Sequence, residues 1–354
     1  MTIMSASILG IKILIVQHNL AKIAQQDAWI SMIVGGLVAL AFGLLIMYPL
    51  TRMLPDSDYP EMHLLTFGNV LGRIILMPSI VMIILDTGLS ARIFVNVLKV
   101  FLLDKTPNYI LIIVIIMAVV SVSKRGINAL GTSIDFMFPV FILPMLIIIV
   151  LSYKILDIDN LKPVLYKNTI NVLRGGITAL GSLIGIINIL FYTCYVEDKK
   201  KAFNWIMAGL LIPITIFVIL TTTVIMAFGS DFVTYMAYPP LMLSKAIEFP
   251  VTLMERLETL LLTVWIPGVF AYLSVYTFAS IRNIKVMFNI KEKYTKHIGY
   301  VLSIILIITA VYPENLDKVL NNLTFLQNAG LVSLMVKIPL MVVINLIKRR
   351  KSRK

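Results

Sequence analysis

The chain predicts an all-α integral membrane protein of about ten transmembrane helices, and three observations predict it. Mean hydropathy is +0.94, with 59% hydrophobic and only 14% charged residues, a balance outside the soluble globular class. Apolar runs of bilayer-spanning length, about 20 residues each, recur along 354 residues with short polar interruptions, which leaves no room for a separate soluble domain. The first and sixth runs are themselves interrupted. Discontinuous helices five spans apart are the pattern of a five-plus-five inverted repeat. The whole chain, 1–354, therefore reads as one transmembrane domain, with a first repeat of about 1–153, a second of about 174–347 and a basic cytoplasmic tail at 348–354.

Composition also excludes. The single cysteine, Cys194, rules out an intramolecular disulfide framework, and His18, His63 and His297 share no metal-ligand spacing, so neither a metal nor a cofactor is expected. The start lacks a basic region and a cleavage site and reads as a retained span rather than a signal peptide. The net charge of +13 sits in loops and in the tail Lys348-Arg349-Arg350-Lys351-Ser352-Arg353-Lys354, as cytoplasmic segments require, and not as nucleic-acid binding would.

The first span carries a glycine and a lysine in the run Gly10-Ile11-Lys12-Ile13-Leu14, then turns polar and ends at Asp27-Ala28-Trp29, so it predicts a broken helix. Unwound backbone at membrane depth can hold the charged ends of a small ligand. Trp29 to Leu50 is a clean second span, and the loop to Met62 carries Pro55 and Pro60, which do not continue a helix. The third, Gly68 to Leu103, is too long for a straight crossing and contains Arg73, Asp86, Arg92 and Lys99, a polar stripe on a tilted helix that faces protein. Tyr109 to Val122 is the fourth. Ile134 to Tyr153, kinked by Pro139 and Pro144, is the fifth. After a polar segment, Lys154 to Asn171, the sixth span from Gly175 to Tyr195 is loosened by Gly175, Gly176, Gly181 and Gly185. Phe203 to Phe228, Met254 to Ile281, about Gly299 to Val311, and Gly330 to Ile347 complete the set, with a polar loop from Tyr312 to Asn328 before the last. With both termini cytoplasmic, seventeen basic residues fall inside against ten outside, the sense that the positive-inside rule demands.

Several motifs in this order resemble one family. Ala24-Gln25-Gln26-Asp27-Ala28-Trp29-Ile30-Ser31, Thr106-Pro107, Asp159-Asn160-Leu161-Lys162-Pro163-Val164-Leu165, Tyr238-Pro239-Pro240, Glu255-Arg256-Leu257-Glu258 and Trp265-Ile266 look like the spore germination permeases, the B subunits of GerA-type germinant receptors, in the amino acid-polyamine-organocation superfamily. The resemblance implies a leucine-transporter-like fold with broken first and sixth helices, in the inner membrane of a bacterial spore. It implies recognition of an amino acid or similar small nutrient, and partnership with an A subunit and a lipoprotein C subunit. By position it carries the ligand to Gly10, Lys12, Ile13 and Leu14 and to Gly181, Ser182 and Gly185, with Asp86 and Trp265 as looser members of the site. The sequence departs from the family where the polar leader is nearly absent, which would put the start late. Lys12 stands where a small residue is common, Gln17 where proline is frequent, and Gly131 where an arginine often follows the basic turn.

Each of these residues has an alternative reading. Lys12 either occupies the ligand or cation position, facing Asp86, or lies only about 14 Å along a helix from Ile3 and snorkels to the interface. Asp86 is either a ligand or proton partner, or a structural mate of Arg92 or Lys12. Gly181, Ser182 and Gly185 either open the sixth helix or let it pack closely, and Trp265 reads first as packing near an interface. Glu255, Arg256 and Glu258 read as the polar entrance of the eighth helix. No nucleophile–base pair accompanies them, so no enzyme is expected. The leading functional expectation is a sensing subunit. A secondary amino-acid or amine transporter and a ligand-gated ion-conducting subunit are the alternatives.

Overall fold

The computed structural model describes residues 1–166, 168–198, 201–247 and 257–352, the side chains of 257–264 and 352 excepted. The described residues form helices and connecting turns without a strand. Six helical runs are long and apolar enough to cross a membrane: Val16–Met53, Asn69–Phe101, Ile127–Ile155, Ala202–Phe228, Glu292–Val311 and Leu316–Lys351. Thr169–Ser182 with Ile184–Tyr195, bent by 49°, makes a seventh if the pair counts as one span, and Asn108–Ser123 is a shorter apolar helix. Many large apolar side chains stand on the outer surface, among them Leu45, Phe136, Val150 and Val332. In water such a surface would associate; against acyl chains it is the matched face.

The chain begins with α1 (Thr2–Leu9), a 3₁₀ turn over Lys12–Leu14, and α2 (Val16–Ala24). Gln25, with φ of 51°, opens the turn into α3 (Ala28–Phe42), which passes through a π-helical stretch, Gly43–Met47, into α4 (Tyr48–Met53). The segment expected to be a loop up to Met62 folds instead into α5 (Tyr59–Phe67). Pro60 sits in the first turn, where its missing N–H is not needed, and Asp58 and Glu61 form a reciprocal capping box. The long third span is one helix, α6 (Asn69–Phe101), whose 33 residues reach about 50 Å and must tilt to fit a core of about 30 Å.

Then follow α7 (Asn108–Ser123) and α8 (Ile127–Leu151), the latter starting seven residues before the expected Ile134. Next come α9 (Thr169–Ser182), a 3₁₀ turn Ile184–Ile187, α10 (Asn188–Tyr192), α11 (Ala202–Phe228), α12 (Ser230–Val233) and α13 (Pro239–Ala246). α14 (Leu257–Phe288) runs seven residues past the expected Ile281 and is followed by α15 (Thr295–Val311). The last helix, α16 (Leu316–Ser352), absorbs most of the polar stretch expected to be a loop. Asn315 accepts the Lys318 N–H at 2.9 Å, and Glu314 takes the Lys318 ammonium at 2.6 Å, so a polar composition is compatible with a capped helical end standing outside the membrane. Glu255 and Arg256 lie outside the described residues, as does the side chain of Glu258.

Small residues decide the central packing. α3 lies along α9, where a Cβ on Gly35 would meet the Gly176 carbonyl oxygen at 2.7 Å, the close approach of small-residue helix crossings in membranes. α2 packs on α9 as well, while α1 packs on α11 and α14. Polar docking reinforces this layer. Asp27, fully buried, accepts from the Leu165 N–H and the Asn168 amide, each at 3.0 Å, and Gln26 donates to the Pro163 carbonyl at 2.9 Å. The Gln-Gln-Asp and Asp-Asn-Leu-Lys-Pro motifs thus bind one another. In the second motif, outside the membrane, the hydrogen bond from Lys162 holds the exposed Asp159 carboxyl below its usual range.

Candidate functional site

The end of α1, just before the first helical interruption, meets the second interruption. In the first, α1 stops at Leu9, Gly10 takes φ of +27°, and the chain turns through Lys12–Leu14 before α2 resumes. Glycine is required there, because a Cβ would fall into the Tyr272 ring of α14 and because L side chains rarely adopt that φ. In the second, α9 gives way after Ser182 to the turn Ile184–Ile187. Gly185 lies on the last turn of α1, just before the first interruption: a Cβ there would meet the Ser7 carbonyl oxygen at 2.9 Å and Ile8 Cα at 3.1 Å. Gly10 thus lets the first break close on α14, and Gly185 lets the second close on α1.

Around this crossing the side chains form a polar chain. The Lys12 ammonium, 5% exposed, lies 3.9 Å from Asp86 Oδ1, and Tyr272 donates its hydroxyl to Asp86 Oδ2 at 2.6 Å. Tyr276, one turn on, donates to the Ser7 carbonyl at 3.2 Å. Lys12 is buried and turned to a carboxylate, so the snorkelling alternative does not describe it, and the structural mate of Asp86 is Lys12 and not Arg92. The pair joins α6 to the first interruption, and removing either partner would leave the other's charge without a mate at the crossing.

Cavities flank the ion pair. One, with Lys12, Ser90, Asn19, Ser182 and Gln327 in its wall, has about 30 Å³ of room for water. The other, with Asp86, Tyr276, Ile184, Ile187, Gln327 and Lys337 in its wall, has about 70 Å³. Either is roomy enough for ordered water or a few heavy atoms. Lys12 faces the first, Asp86 the second, and Gln327 both, so the ion pair stands as the partition.

Of the residues predicted from sequence, Gly10, Lys12, Asp86, Ser182 and Gly185 come together here. Gly181 lies beside them, with a Cβ position 4.0 Å from Gln327. Ile13 and Leu14 are buried in the core and line neither cavity. Trp265 stands apart too: its ring meets Phe94 edge-on at 5.5 Å, which is packing. Sequence reasoning missed Tyr272 and Tyr276, which ordinary aromatic content conceals. It also missed Lys337, whose position inside the last apolar run is the same signal that singled out Lys12.

Comparison with known proteins agrees with the motif resemblance. "Spore germination protein A2" of Bacillus subtilis (strain 168) is 25% identical over 324 residues, covering 90% of this chain and 87% of that protein. "Spore germination protein YndE" of the same organism is 26% identical over 265 residues, 75% of this chain and 73% of its own. "Spore germination protein GerQB" of Bacillus cereus is 19% identical over 350 residues, 98% and 94% respectively. Residues 1–319 match the spore permease family, described as spore germination protein. With apolar helices of membrane-crossing length and a family match over nine-tenths of its residues, this chain is an integral membrane protein that belongs to the spore germination permease family.

Proposed function

We propose that this chain is the germinant-sensing membrane subunit of a spore nutrient receptor. It binds an amino acid or similar small nutrient at the crossing of its two interrupted helices and passes the event to an A-type subunit and a lipoprotein C subunit. In this reading the fold is ten spans in a five-plus-five inverted repeat, 1–153 and 174–347, with the interruptions at Gly10–Leu14 and Gly181–Gly185 as the broken first and sixth helices. The protein lies in the spore inner membrane with both termini and the tail 348–354 cytoplasmic.

One observation carries the reading: Gly185 rests on the Ser7–Ile8 backbone beside the Lys12–Asp86 pair, with a cavity on each side. A buried ion pair whose partners sit on different elements is a contact that a charged ligand can compete for. Signalling then requires the nutrient to bind one arrangement better than the other, since equal affinity shifts nothing.

The test is thermal unfolding of the purified protein with a panel of amino acids, wild type beside Lys12→Ala. A ligand at a hundred times its Kd stabilises the folded state by about 2.7 kcal/mol. That stabilisation is expected in the wild type and is expected to be lost in Lys12→Ala. An identical shift in both proteins would remove the crossing from the binding site.

A further inference from the structure

The cavity on the Asp86 side holds a second intramembrane cation. Lys337 lies seven residues into the apolar run Gly330 to Ile347, about 10 Å from one end and 15 Å from the other, well inside hydrocarbon depth. Its ammonium donates to Ser79 Oγ and, at 3.3 Å, to the Tyr59 hydroxyl, which in turn donates to Ser79 at 3.2 Å. Those acceptors are neutral. Among the described residues Lys337 forms no ion pair with a carboxylate, whereas Lys12 has Asp86. Asp86 is engaged elsewhere: one oxygen faces Lys12 and the other accepts from Tyr272. The walls of the cavity therefore carry one positive charge that the protein leaves unmatched.

Charge at that depth is held by a partner or marks a ligand path. The remaining wall is apolar where the second interruption lines it, at Ile184 and Ile187. Ser79 and Asp86 are seven residues apart on α6, about 10.5 Å along its axis. Across that rise an α-amino acid, with both charges on one carbon, is poorly placed to use Lys337 and Asp86 together. Lys12 already supplies the ammonium that such a ligand would bring to Asp86.

We propose that this cavity is a carboxylate site. A short-chain carboxylate binds with its oxygens on the Lys337 ammonium, between Ser79 and Tyr59, and its tail against Ile184 and Ile187, without need of an ammonium group on the ligand. This deepens the nutrient-sensing reading and rests on it. An α-amino acid would bind here through its carboxylate alone.

The experiment is thermal unfolding of the full-length purified protein with sodium propionate, sodium L-lactate, L-alanine, propionamide and, for ionic strength, sodium chloride. Propionate and lactate are expected to raise the transition temperature saturably, and propionamide and chloride to leave it unchanged. In Lys337→Met the half-saturating propionate concentration is expected to rise at least tenfold, and in Lys337→Arg to stay within about threefold, since arginine also pairs with carboxylates. Lys337→Gln serves if the methionine variant lacks a cooperative transition. Propionamide acting as well as propionate would overturn the proposal, as would a propionate effect that survives in Lys337→Met. If propionate and lactate fail to stabilise the protein while L-alanine does so through Lys12, the carboxylate site falls and the nutrient reading stands. No response to any panel member, or to the wider amino-acid panel, on folded protein would sink both.

Discussion

Lys12 shows what a single side chain can and cannot say. A lysine in the middle of an apolar run announces from sequence alone that something must compensate it, because the bare charge costs about 2.5 to 3.5 kcal/mol at the centre of a membrane helix. Asp86, 74 positions away, is one partner the sequence offers, and only the packing decides between it and the interface. Removing one partner leaves the other buried and unmatched, so Lys12→Met and Asp86→Asn are each expected to cost about 3 to 5 kcal/mol. The double variant is expected to cost clearly less than the sum. Unfolding free energies in a double-mutant cycle measure this, and additivity within about 0.5 kcal/mol would mean the pair does not interact. Lys337 obeys the same logic with the opposite outcome, since its neighbours are hydroxyls.

At the scale of elements, helices are joined by polar ties whose worth depends on burial. Arg282 near the end of α14 reaches both Asp58 and Glu61 at the start of α5. Asp58 is 1% exposed, so Arg282→Ala strands a buried carboxylate and is expected to cost about 3 to 5 kcal/mol. Lys318→Ala removes only the exposed Glu314 pair and is expected to cost less than about 1 kcal/mol. Denaturation of both variants in one detergent checks the contrast; equal losses would refute the burial argument. The extent of α14 and α16 was poorly legible in sequence for a related reason. Charged stretches such as Arg282–Lys285 and Tyr312–Asn328 have loop composition. In the structure their charges are satisfied by neighbours and caps, so the helix continues. The interruption at Gly10 was legible because a glycine and a lysine two residues apart both weaken an apolar run. The contact of Gly185 with Ser7 and Ile8 was not, since a packing glycine and a helix-opening glycine look alike.

For the whole molecule, the proposed topology makes a direct prediction. In a Cys194→Ser background, Lys318→Cys lies in the first turn of α16, on a segment assigned to the outer side, and Lys293→Cys in a turn assigned to the cytoplasm, both exposed. In intact cells a membrane-impermeant maleimide is expected to label the first alone, and the second only after permeabilisation. Labelling in the reverse order would invert the molecule and the positive-inside argument with it.

Hydropathy determined by itself that this chain lives in a bilayer, most of its helical runs, and the places where those runs are weakened. These follow from composition and period, which are local properties solvated by lipid in the same way wherever the segment sits. Tertiary structure alone decided which charges are matched and which are not, that the Gln-Gln-Asp and Asp-Asn-Leu motifs dock together, and that Gly185 lets the second interruption close on the last turn of α1. Partner choice at membrane depth depends on distances of a few ångströms between segments far apart in the chain, where an unmatched charge or a single Cβ outweighs any local preference.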